Sequence, residues 1–263
     1  MERNWFFKYV VLVFALTVLG LCVACGGGGG DGSEPEVSST APLNLAVNVP
    51  VNSKIAARFS ELMNYSTINT ESFLVTGPGT TPVLGTVAYV GYTATFTPMN
   101  SLTIATLYTA TITTSVRDLA GNSLISNYEW TFNSGDTMDI FKPRVSSTVP
   151  TNHHMDIKTN SKLSIAFSEY MDPETITTST FLVTGSATNP VLGTVISTGY
   201  TATFTPTNGL VADTEYTATI TTGAKDLSGN SLATDYVWTF TGKSGSRYGS
   251  THCHFYRPYK WSR

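Results

Sequence analysis

The chain has 263 residues, with 18 acidic and 15 basic side chains and a formal net charge of −3. So even a balance excludes the strongly basic face on which nucleic-acid binding depends, and 41% hydrophobic residues exclude a chain too polar to fill a core. Charged residues make up only 13%, roughly half the usual globular share. Thr, Ser, Asn and Gly take the polar role instead. β-Branched Thr packs well on a pleated surface and loses rotamer freedom in a helix, so the composition predicts an all-β protein.

At the N-terminus, Arg3 and Lys8 precede an apolar run from Val10 to Leu21. The run is too short for a comfortable membrane-spanning helix. A basic flank, a short apolar core and then small residues predict a secretory signal peptide over residues 1–24. The sequence that follows, Leu21-Cys22-Val23-Ala24-Cys25-Gly26, resembles a bacterial lipobox, with Cys22 standing where Leu is usual. The resemblance implies that Cys25 is diacylated and becomes the new N-terminus. The partner would be the membrane, held through an N-terminal lipid anchor, and two or more acyl chains suffice for stable anchoring. Gly26, rather than Asp, after the cysteine implies routing to an outer membrane. Residues 25–36 are Gly-rich and then polar, a flexible tether.

The next two segments are copies of one another. Phe59-Ser60-Glu61 recurs as Phe167-Ser168-Glu169, Gly91 to Pro98 as Gly199 to Pro206, Tyr108 to Thr114 as Tyr216 to Thr222, and Trp130-Thr131-Phe132 as Trp238-Thr239-Phe240. Every offset is 108 residues and no gap is needed. More than half of the 97 aligned positions are identical, which marks a recent duplication. The repeats set domain 1 at 37–133, a linker at 134–144 and domain 2 at 145–241, each the size of a small β domain. The linker, with Gly135 and Pro143, is short enough to restrict hinge motion.

Within each copy the pattern is strand throughout. Tyr92 to Thr97 and Tyr108 to Thr113 alternate apolar residues with Thr, which predicts one buried and one wet face. Turn signals at Gly77-Pro78-Gly79, Gly91, Pro98 and Gly121-Asn122 separate the runs. No window reads as a helix. Short strands with such turns predict a β-sandwich, with Trp130 and Phe132 pointing the same way into the core beside Phe59, Phe73 and Phe96. No cysteine lies between Gly26 and His252, so packing alone must hold the sandwiches.

Several ordered motifs resemble the SbsA-type bacterial Ig-like domain: Ser39–Pro42, Phe-Ser-Glu-x-Met at Phe59–Met63, Thr67-Ile68, Thr93–Pro98, Asp-x-x-Gly-Asn at Asp118–Asn122, and Trp130–Phe132. The second copy has them all, and its Met171-Asp172-Pro173 is nearer the usual form than Met63-Asn64-Tyr65. The resemblance implies two tandem Ig-like β-sandwich domains in a surface-layer, adhesive or multidomain exported protein, with no enzymatic activity.

Candidate sites are few. Asp118 and Asp226, with Glu61 and Glu169 as further candidates, offer oxygens to Ca²⁺, but each loop holds a single carboxylate where Ca²⁺ wants six to eight oxygens. The simpler reading is a turn in which Asp caps its own backbone and Gly takes φ > 0. No metal and no cofactor are expected. A nucleophile needs a base within reach, yet the first copy has no histidine, and His153-His154 of the second replace Leu45-Ala46. That pair reads as a solvated loop. The Thr-x-Thr strands raise glycan or ice binding, but twisted sandwich sheets lack the required flatness. The tail, 242–263, begins as a Gly/Ser linker and ends basic and aromatic. Its His252-Cys253-His254 lacks the spaced ligand pairs of a structural zinc site. It reads as a disordered tail or as the mark of a truncated or frame-shifted reading frame. The expected function is a lipid-anchored surface spacer or adhesion module, with a surface glycan or protein as ligand; the alternatives are a carbohydrate- or ice-binding module and the accessory N-terminal part of a truncated multidomain exported adhesin or enzyme.

Overall fold

The computed structural model describes residues 33–186 and 189–243. The signal peptide, Cys25, most of the Gly-rich tether and nearly all of the tail lie outside the described residues.

Domain 1 contains β1 (Val37–Ala41), β2 (Ala46–Val49), β3 (Ile55–Phe59), β4 (Phe73–Thr76), β5 (Gly85–Val90), β6 (Thr93–Pro98), β7 (Leu107–Ile112) and β8 (Tyr128–Ser134). Domain 2 contains β9 (Val145–Val149), β10 (His154–Ile157), β11 (Leu163–Phe167), β12 (Phe181–Thr184), β13 (Gly193–Ser197), β14 (Thr201–Pro206), β15 (Glu215–Ile220) and β16 (Tyr236–Gly242). The only helical turns among the described residues are short 3-10 turns such as Tyr65–Thr67 and Pro173–Thr175. No helix there is long and apolar enough to cross a membrane.

Each domain is a sandwich of two four-stranded sheets. Their strand orders are β1-β3-β6-β5 and β2-β8-β7-β4 in domain 1, and β9-β11-β14-β13 and β10-β16-β15-β12 in domain 2. Pairing is antiparallel except at β2–β8 and β10–β16. The first segment of each domain serves both sheets: β1 runs along β3, the chain crosses at Pro42 and β2 joins β8. Pro cannot donate to a ladder, so it falls naturally where one sheet is left for the other.

Period-two alternation positions the core. On β8, Trp130 and Phe132 point inward at 1% and 0% exposure, opposite Ala110 and Tyr108 of β7. Trp130 packs on Phe73 at 5.8 Å between ring centroids, and Phe132 stacks on Tyr108 at 5.5 Å. Domain 2 repeats both contacts, with Trp238 on Phe181 at 5.8 Å and Phe240 on Tyr216 at 5.3 Å. The buried apolar residues form two clusters that share no member, one per domain. Each buried Phe contributes about 1.5–3 kcal/mol from area alone.

One expected face differs. On β14 the Thr side is half-exposed, as the alternation predicts. On β6 it is not: Thr93 and Thr95 are each 1% exposed. Tyr170 of domain 2 lies against Thr93 and near the Arg58 guanidinium. A strand pattern records which face can be wet, whereas the neighbouring domain decides whether it is.

Candidate functional site

The described residues that bring polar and ionisable groups together lie where domain 1 meets domain 2. On the domain 1 side, the chain turns between β2 and β3, closed by the Ser53 amide donating to the Pro50 carbonyl at 3.1 Å. That turn presents Asn52 and Lys54. On the domain 2 side stand two loops. In one, Asp172 caps the Pro173–Thr175 turn by accepting from the Glu174 amide at 3.1 Å. In the other, Asp226 accepts from the amides of Ser228 and Asn230 at 2.8 Å each and from the Asn230 side-chain amide at 2.9 Å. Gly229 closes that second turn with φ +91°, a conformation that favours glycine.

The two sides engage directly. Lys54 Nζ lies 2.7 Å from Asp172 Oδ2 and 3.3 Å from Glu174 Oε2, and the Lys54 amide donates to the Leu227 carbonyl at 3.0 Å. Asn52 Nδ2 donates to the Ser228 carbonyl at 3.1 Å. The linker is held from both sides. The Asp139 carbonyl accepts from Asn52 at 3.0 Å and from Asn230 at 3.3 Å, and the Asp139 amide donates to Asn52 Oδ1 at 2.8 Å. Docking buries Leu227 to 8% exposure, while its domain 1 counterpart, Leu119, is 71% exposed. At the other edge Gly91 faces Ile196.

The electrostatics follow from this packing. Burial acts to lower the Lys54 pKa, but the hydrogen bonds and charges of Asp172 and Glu174 outweigh it and the value is raised. Oxygens of Asp139, Glu169 and Asp226 lie within 4.8 Å of one another. Burial and the nearby Asp226 and Asp139 charges push Glu169 up to about 7. The two equivalent turn aspartates diverge. For Asp118, hydrogen bonds from Asn122, Gly121 and Ala120 overcome desolvation and lower the pKa. For Asp226, burial, helped by the Asp139 charge, overcomes the hydrogen bonds and raises it. The trio can share a proton or present three carboxylate oxygens to a cation, well short of the six to eight oxygens Ca²⁺ takes.

The structure thus brings together two of the residues singled out from sequence, Glu169 and Asp226, and adds Asp139, which the sequence did not mark. Both Asp turns form as expected, with Gly121 at φ +95° and Asn122 donating to Asp118 from its amide at 2.8 Å. His153 and His154 are exposed, but they do not form a free loop: His154 opens β10, and His153 Nδ1 sits 3.0 Å from Thr239 Oγ1. The sequence also missed Asn52, Lys54, Asp172 and Glu174. The one available signal was that Asp172-Pro173-Glu174 replaces Asn64-Tyr65-Ser66 between otherwise close copies.

The chain is similar to the N-terminal part of the S-layer protein SbsC at 16% identity and a TM-score of 0.32, over 79% of this chain and 44% of that one. It is similar to the BSP domain of a biofilm-associated protein at 16% identity and a TM-score of 0.24, over 81% and 30%. Titin domains Z1Z2, solved with telethonin, match at 10% identity and a TM-score of 0.26, over 81% and 97%. The chain therefore spans less than half the length of the SbsC fragment. No curated protein matches it in sequence. The model of the bacterial Ig-like domain matches residues 31–134 and again 139–242. Two matches covering most of the chain place it plainly: this protein belongs to the bacterial Ig-like domain family.

Proposed function

We propose that this protein is an exported, lipid-anchored structural module of the cell surface, serving as a spacer or adhesion element rather than an enzyme. The observation that carries the reading is the junction. Two small sandwiches are fixed to one another by backbone hydrogen bonds, by an ion pair and by a linker residue, Asp139, bonded from both sides. Free hinging would let a tandem array collapse onto its support; a fixed joint holds its far end away. The Cys25 anchor and the Gly-rich tether supply attachment in this reading, and the membership in the bacterial Ig-like family agrees with it.

The test is intact mass and membrane partition of the protein made with its native N-terminus, beside Cys25→Ala. The expected result is a diacylglycerol-sized increment on a chain beginning at Cys25, lost in the variant. An unmodified, soluble chain overturns the anchor. Glycan-array and ice-affinity measurements separate the spacer from a carbohydrate- or ice-binding module.

A further inference from the structure

The junction is heterologous: a turn of one sandwich meets the acidic loops of the next. Because the chain is a repeat, domain 2 carries its own copy of the turn that domain 1 uses. Asn160 and Lys162 stand at the positions of Asn52 and Lys54, 108 residues on. The backbone around them is the same. Ser161 N–H donates to the Lys158 carbonyl at 3.0 Å where Ser53 donates to Pro50 at 3.1 Å, and Leu210 N–H donates to Thr159 at 2.7 Å where Leu102 donates to Val51 at 2.8 Å. The cleft beside each turn also repeats, with Asn52, Thr97 and Pro98 in one and Asn160, Thr205 and Pro206 in the other. The chain leaves both domains alike, the Lys243 amide donating to Ile157 as the Gly135 amide does to Val49.

What differs is occupancy. Domain 1 spends this end on domain 2. Among the described residues nothing is docked on the equivalent end of domain 2, and Thr159, Asn160 and Lys162 are exposed. We infer that the end of domain 2 built by Asn160 and Lys162 is a docking surface for a further Ig-like sandwich that presents an acidic corner of the Asp172-Pro173-Glu174 kind beside an Asp-x-x-Gly-Asn turn. Lys162 pairs with the two carboxylates and Asn160 donates to the turn carbonyl, as Lys54 and Asn52 do within the chain. Domain 1 of a second copy is the wrong partner. It has Asn64, Tyr65 and Ser66 at the corner, so no carboxylate awaits the lysine, and Tyr65 is 76% exposed where Pro173 is buried. The inference holds whether or not Cys25 carries lipid.

The experiment gives the full chain the missing half. In Asn64→Asp/Tyr65→Pro/Ser66→Glu every copy carries both complementary ends, and a heterologous contact then joins copies head to tail. Wild type and variant are compared by sedimentation velocity and by zero-length carbodiimide cross-linking up to about 0.5 mM, approaching the effective concentration a short linker supplies in cis. The expected result is concentration-dependent growth of the variant alone, with cross-links between Lys162 and positions 64 and 66, both abolished by Lys162→Glu. Asn64→Asp/Ser66→Glu, without the proline, serves as a second variant should the first fail to fold. A folded variant that neither associates nor cross-links at Lys162, or one whose association survives Lys162→Glu, overturns the inference.

Discussion

Replacing Lys54 by Ala tests the junction against a control built into the chain. Lys54 has side-chain exposure of 22%, and its partner Asp172 of 5%. Removing the ammonium leaves Asp172 Oδ1 bonded to the Glu174 amide but strips Oδ2 of its cation inside the contact. An exposed ion pair is worth about 0–1 kcal/mol, whereas breaking a buried one costs about 3–5 kcal/mol. This half-buried pair falls between, so a loss of about 2 kcal/mol is expected. For a folded unit of this size that is a drop of roughly 4–8 °C in Tm. Lys162→Ala removes the same residue type from the same place in the repeat, where among the described residues it is exposed and has no ion pair, and should leave the melt unchanged. Asp172→Asn added to Lys54→Ala should recover part of the loss, because the stranded charge goes with it. The assay is denaturant and thermal unfolding followed by fluorescence of the buried Trp130 and Trp238. Equal midpoints for Lys54→Ala and Lys162→Ala would refute the reasoning.

Three further outcomes are expected. Trp130→Ala should cost domain 1 about 3–5 kcal/mol, whereas Trp130→Phe should cost clearly less, because the buried indole N–H has no acceptor and its removal relieves a desolvated donor; similar losses for both on chemical denaturation would contradict this. Glu169, raised to about 7, binds its proton more tightly folded than unfolded, so wild-type stability should fall as pH rises from about 4.5 to 7 and stay low above; Glu169→Gln should flatten that profile and be the more stable form at pH 8, and an unchanged slope in stability against pH would count against the carboxylate trio. Gly199→Ala should destabilise domain 2 and loosen the junction together, since the turn has φ +87° and the new methyl meets the Tyr170 ring; hydrogen exchange should then rise both around Gly199 and at Thr93, and exchange confined to the turn would show that Tyr170 is not what seats domain 2 on domain 1.

Much of the architecture was fixed by the sequence itself. The 108-residue offset, the Thr alternation and the Trp-x-Phe strand sufficed for two all-β sandwiches, for the inward pair Trp130 and Phe132, and for the Asp118 and Asp226 turns. Each of these is local, set by side-chain period or by a carboxylate capping its own loop, and so it reads identically in both copies. The differences between the two copies arise from the packing of one domain on the other. Lys54 is paired and Lys162 is open; Thr93 is covered and Thr201 is half-exposed; Leu227 is buried and Leu119 is not; Asp226 is raised in pKa and Asp118 lowered. The residue is the same in every one of these pairs. Its environment differs because, among the described residues, one copy faces the other domain where its counterpart does not, and burial and charge proximity between residues far apart in the chain leave no trace in a local pattern.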